Sequence, residues 1–178
     1  TAGLTEVLLG DDPSAIIETL KGGLQRGVPT VELSKEVAYA AAMRICRFTT
    51  ANEFDDWLTV VHTFTYCNAV HQMLGRIGTA GIESYATSVR GVLHGAMALY
   101  LARYLNVPPA RIPGEGDSLD DLPAEPEAIR VALLDAFDRQ RQVDIAARLV
   151  ARHLTLGHPP QTLIATLAHV LLREDAGF

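Results

Sequence analysis

Six histidines are the side chains of this 178-residue chain best suited to chemistry. Imidazole titrates near neutral pH and is the commonest metal ligand, so His62, His71, His94, His153, His158 and His169 are where a proton-transfer or metal site would be built. Their spacing narrows the choice. His62 and His71 fall nine residues apart on one stretch of helical periodicity, which turns them about 180° from each other and gives them separate surroundings. His71 shares its face with Trp57, Val61, Phe64 and Asn68 and reads as a core histidine satisfied by Asn68 or by a backbone carbonyl. His62 shares a more polar face with Asp55, Thr59, Thr65 and Tyr66. Asp55 precedes it by two turns, about 10.5 Å along the axis, so a partnership between them needs a second helix or a water. His94 follows Arg90 by one turn and stands between Gly91 and Gly95, whose missing side chains leave room for a ligand or, more commonly, for a neighbouring helix. The pocket this pattern defines is Asp55, His62, Tyr66, Arg90 and His94, with His62 and His94 as candidate metal ligands. His158 reads as a helix-start residue, and His153 and His169 fit a surface role as well as a functional one.

Other chemistries lack their motifs. The chain has no G-x-G-x-x-G, no G-x-x-x-x-G-K-[ST], no G-x-S-x-G, no H-E-x-x-H and no E-x-x-H, which disfavours nucleotide, hydrolase, zinc-protease and di-iron readings. No motif requires a cofactor. The two cysteines form no C-x-x-C pair, which argues against a disulfide scaffold and for a reducing, cytoplasmic setting. The net charge of −6 is concentrated between Glu115 and Glu127, which holds six acids and no Lys or Arg. With no basic face to release counterions from phosphates, nucleic acid is not an expected partner. The acidic stretch lacks the residue order of a calcium loop and reads as a solvated connection over residues 107–124. The most apolar run, Val92 to Ala102, contains His94 and is too short for a membrane span.

The elements that would position these residues are helices. Asp12-Pro13 caps a first helix to Gly27, and Thr30 can cap a second to about Phe48. A third, from about Asn52 to Leu74, is apolar on most of its circumference and is expected to be surrounded by others. A fourth, roughly Glu83 to Asn106, carries Gly91, Gly95, Ala98 and Ala102 as one small-residue stripe. Glycine costs about 1 kcal/mol in a helix interior, so close packing is expected in return. Helices resume over Glu125–Arg139, Val143–Leu156 and Pro160–Glu174. The expected fold is all-α, one compact bundle spanning residues 1–178 with about seven helices. Residues 10–20 echo residues 157–167 at Gly, Pro, Ile, Thr and Leu; a true repeat would make the bundle a stack of α-hairpins. The chain starts at Thr1 and has no clear stop before Phe178, so further domains of a longer protein are expected beside it.

Arg90-Gly91-Val92-Leu93-His94, Tyr100 through Pro113, Glu53-Phe54-Asp55-Asp56-Trp57 and His62-Thr63-Phe64-Thr65 together resemble helical regions of uncharacterised bacterial proteins, some of which also carry a Rieske-type iron–sulfur domain. The resemblance covers about a third of the chain and implies a redox partner. A Rieske centre needs C-x-H and C-x-x-H pairs. Cys46 is followed by Arg47-Phe48 and Cys67 by Asn68-Ala69, so such a cluster would lie outside this chain. Two function classes follow. One is a small-molecule or metal pocket among the third and fourth helices that works with a redox partner. The other is a non-catalytic interaction or oligomerisation scaffold, a homo-oligomer in which the small-residue stripe packs within or between chains and Gly95→Leu weakens the assembly.

Overall fold

The computed structural model describes residues 2–49, 51–77, 82–105, 108–139 and 142–173. Among them there is no strand, and the elements are α1 (Ala2–Leu8), α2 (Pro13–Gln25), α3 (Thr30–Cys46), α4 (Phe54–Ile77), α5 (Ile82–Leu101), a 3-10 turn (Ala102–Leu105), α6 (Pro126–Asp138), α7 (Val143–Thr155) and α8 (Pro160–Arg173). The all-α expectation holds, with one helix more than the sequence suggests. The extra one, α1, has 7 residues and neither an acidic first turn nor a basic last turn, so no terminal signal announces it. Its reason is tertiary: Leu8 is fully buried. No described helix is long and apolar enough to cross a membrane.

The single domain expected from length resolves into two compact units, Thr1–Ala110 and Arg111–Phe178. In the first, α3 is the central element and packs on α1, α2, α4 and α5. Its buried Ala38, Ala40 and Ala41 allow the other helices close approach, and Leu8, Ile16, Leu20, Val37 and Leu99 fill the core around it. A smaller cluster of Phe48, Val60 and Ala102 closes one end, where Phe48 meets Trp57 edge to face at 4.7 Å. In the second unit α6, α7 and α8 surround Ile129, Leu133, Leu149 and Leu163.

Helix ends follow local chemistry. The Asp12 side chain accepts hydrogen bonds from the Ser14 and Ala15 amides at 2.9 and 3.1 Å, as expected of its cap position. Thr30, the expected cap of α3, caps nothing: it is the first helical residue, the carbonyl of Pro29 takes the Glu32 and Leu33 amides, and the Thr30 hydroxyl is buried without a partner. At the end of α2, Gly27 adopts φ +83°, with Val28 N–H bonded to Gly23 O and Gly27 N–H to Leu24 O. At the end of α7, Gly157 at φ +73° repeats the arrangement, with His158 bonded to His153 O and Gly157 to Leu154 O.

These glycines relocate the sequence echo. The helices α2 and α7 are each 13 residues long. Each is followed, at matching distances, by its positive-φ glycine, a proline (Pro29, Pro159) and the first residue of the next helix (Thr30, Pro160). The helix–turn–helix that recurs is thus α2–α3 with α7–α8, not residues 10–20 with 157–167. Pro13 and Pro160, which the echo pairs, both start helices, whereas the turn geometry is set by the glycine that must take a left-handed conformation.

The acidic connection is not wholly solvated. Leu119 and Leu122 reach out of it into the second core. Asp121 and Asp120 pair with Arg148 and Arg152 of α7 at 2.6 and 2.9 Å. The carboxyls of both acids lie below the usual range. For Asp120 the main cause is a hydrogen bond from Ser118, followed by Arg152; for Asp121 it is the bond from Arg148. Apolar anchors and paired charges were disguised in the sequence by the Asp, Gly and Pro around them.

Candidate functional site

The five pocket residues of the sequence reading all lie at the surface of the first unit. Asp55, His62 and Tyr66 are exposed on α4, and Arg90 and His94 on α5. No interior space is shared among them. Tyr66 alone reaches the other helix, donating its hydroxyl to the Gly91 carbonyl at 3.3 Å. His62 and His94, the candidate metal ligands, belong to no group of three or more His, Cys, Asp or Glu side chains among the described residues.

The other histidines are structural where they are bonded. His71 places Nδ1 3.1 Å from Ser34 Oγ and 3.3 Å from the Val31 carbonyl of α3, so a carbonyl satisfies it and Asn68 stays exposed. His153 is buried at the end of α7 with Nε2 3.0 Å from the Pro159 carbonyl, which ties the Schellman turn to the start of α8. His158 packs on it edge to face at 5.1 Å and bonds the Ala124 carbonyl. His169 is exposed.

The small-residue stripe of α5 is spent inside the chain. A Cβ at Gly91 would stand 3.4 Å from Val70 Cγ1, and one at Gly95 would stand 3.0 Å from Cys67 Sγ and 3.5 Å from Val37 Cγ1. Gly91 and Gly95 therefore seat α5 on α4 and α3 within the chain. Cys67, enclosed there at 2% exposure, has its thiol pushed up to about 11 by burial. Cys46 is exposed. A thiol reagent at neutral pH is accordingly expected to label Cys46 within minutes and Cys67 only after denaturation, because the thiolate is the nucleophile. Mass spectrometry of the labelled peptides checks this, and labelling of native Cys67 at a rate near that of Cys46 would contradict it.

Two arginines near the turn between α1 and α2 also escaped the sequence reading. Arg44 is buried, bonds the Leu9 carbonyl at 3.5 Å, and has its pKa lowered chiefly by that burial, with Asp11 opposing. Arg103 stacks 3.6 Å over Tyr100 and 3.7 Å over Tyr104 and stands 3.6 Å from Asp11.

What the first unit does present is an apolar surface. The apolar circumference of α4 predicts a surrounded helix, yet only Val60 and Cys67 of it are buried. Phe54 is 75% exposed and Met73 52%, and Leu58, Val61, Tyr66 and Ile77 are exposed too. Among the described elements α3, α5 and the 3-10 turn pack on the helix, and Phe54, Leu58 and Met73 of its outer side are exposed. Between α4 and α5 runs an open groove of about 520 Å³ lined by Tyr66, Val70, Met73, Ile77, Thr87 and Gly91 among others. Among the described residues its polar side chains are the hydroxyls of Tyr66, Thr87 and Ser88, with no carboxylate, imidazole, thiol or amine. Such a lining can receive apolar side chains but holds no acid–base pair or metal-ligand set. The chain matches no family model, no curated protein and no solved structure.

Proposed function

We propose that this chain is a non-catalytic interaction and oligomerisation scaffold whose working surface is the outer face of α4 together with the α4–α5 groove. The observation that carries the reading is the exposure of Phe54, Leu58, Tyr66, Met73 and Ile77 on one helix beside a groove whose described lining has no titratable side chain other than Tyr66. Soluble monomers rarely leave a contiguous apolar patch of more than a few hundred Å² uncovered, and larger patches mark binding surfaces. The five polar residues of the sequence reading fit the same surface. Tyr66 is part of the apolar face itself, and the other four, all exposed, give it polar, solvated neighbours of the kind found at interfaces.

The wild-type protein at tens of micromolar is expected to sediment as a stable oligomer. The Phe54→Glu, Met73→Glu double variant is expected to sediment as a monomer with an unchanged far-ultraviolet circular dichroism spectrum, because both side chains are already exposed in the single chain. A wild-type protein that stays monomeric at every concentration, or an oligomer indifferent to both substitutions, would refute the reading.

A further inference from the structure

We infer that two copies of this chain pair through α4 in antiparallel register, about a two-fold axis near Thr65 and Tyr66, so that Leu58 of each copy packs against Met73 of the other. This rests on the reading of α4 as the interaction surface and names its occupant.

The register follows from the helix itself. Leu58, His62, Thr65, Ala69 and Met73 are all exposed and recur at intervals of three and four, close to the 3.5-residue period of a helix–helix seam. Asp55 begins this stripe and Arg76 ends it. Laid antiparallel against a second copy, the stripe is complementary to itself. Leu58 faces the partner's Met73, His62 faces the partner's Ala69, and Asp55 faces the partner's Arg76, with each contact made twice as an isologous interface requires. Met73 is part of the lining of the α4–α5 groove, so the partner's Leu58 lies beside that groove, while Phe54 flanks the seam on its other side. Charge selects the direction. Neither Asp55 nor Arg76 has an ion-pair partner among the described residues. A parallel pair would bring Asp55 against its own copy at one end and Arg76 against its copy at the other, whereas the antiparallel pair joins opposite charges at both ends. Thr65 and Tyr66, both exposed, flank the axis, and the small Ala69 lies one turn from it.

A charge exchange tests the register. Asp55→Arg and Arg76→Asp, made singly in the full chain, each set like charges against each other twice and are expected to raise the dimer dissociation constant about tenfold or more at low salt. The double variant restores opposite charges with their places reversed and is expected to return to within about twofold of wild type. Sedimentation equilibrium reads the constants, and both residues are exposed, so folding is not at stake. Thr65→Cys, in a chain with Cys46→Ser to remove the exposed thiol, is expected to form a disulfide with its own copy under mild oxidation. A dimer that persists while the single charge variants match wild type, or a double variant weaker than either single one, overturns the antiparallel register and leaves the interaction surface standing. A protein that is monomeric throughout overturns both.

Discussion

Gly95→Leu is expected to destabilise the first unit by about 3 kcal/mol or more, because overpacking a filled site costs 1–3 kcal/mol and the whole side chain has nowhere to go here. Its Cβ alone would meet Cys67 Sγ at 3.0 Å, with Val37 of α3 close behind. The sequence by itself suggested that this substitution would loosen an oligomer. The structure makes it a folding defect, with α5 displaced from both α4 and α3. Gly95→Ala separates the terms. Replacing glycine in a helix interior returns about 1 kcal/mol, and the tight contact with a sulfur that can shift by a few tenths of an ångström takes a similar amount back. That variant is expected near wild-type stability. Adding Cys67→Ala removes the sulfur and should make Gly95→Ala more favourable than it is alone, a coupling that a double-mutant cycle in urea measures directly. A Gly95→Leu protein with wild-type melting behaviour and an altered oligomeric state would reverse this assignment.

Leu133→Ala is expected to cost roughly 2.5–5 kcal/mol, the range for deleting three carbons from a filled core. Leu133 is fully buried on α6 among Leu119, Ile129, Leu149 and Leu163. The loss should be confined to the second unit. The sole tryptophan, Trp57, belongs to the first unit and packs on Phe48 there. Its fluorescence on denaturation is therefore expected to report an unchanged transition, while circular dichroism, which sees every helix, shows part of its amplitude moving to lower denaturant. If fluorescence and circular dichroism shift together, the two cores unfold as one cooperative body.

How much of this was legible beforehand varied with the range of the interaction concerned. Helix class and most boundaries are local: Asp12 bonds amides two and three residues on, and Gly27 and Gly157 end their helices through φ. Such signals lie within one turn of the chain. The helix α1 carries no signal of that kind and forms because Leu8 finds a core. The echo between the two ends was detectable, yet its register was off until the left-handed glycines showed which turns correspond.

The candidate site was the least legible part. Periodicity identifies which side chains share a face of α4, but which face meets α3 and α5 and which meets solvent depends on how many helices the rest of the chain supplies to cover it. An apolar residue looks alike in sequence whether its cover comes from its own chain or from another, since the hydrophobic effect is non-directional. Composition and spacing alone settled that the chain is helical, placed seven of its helices with most of their ends, and marked α5 for close packing. Only the tertiary structure decided that the close packing is internal, that Asp55, His62, Tyr66, Arg90 and His94 stand outside any enclosed space, and that α4 turns Phe54 and Met73 outward, because burial is a property of three-dimensional neighbours and not of position along a chain.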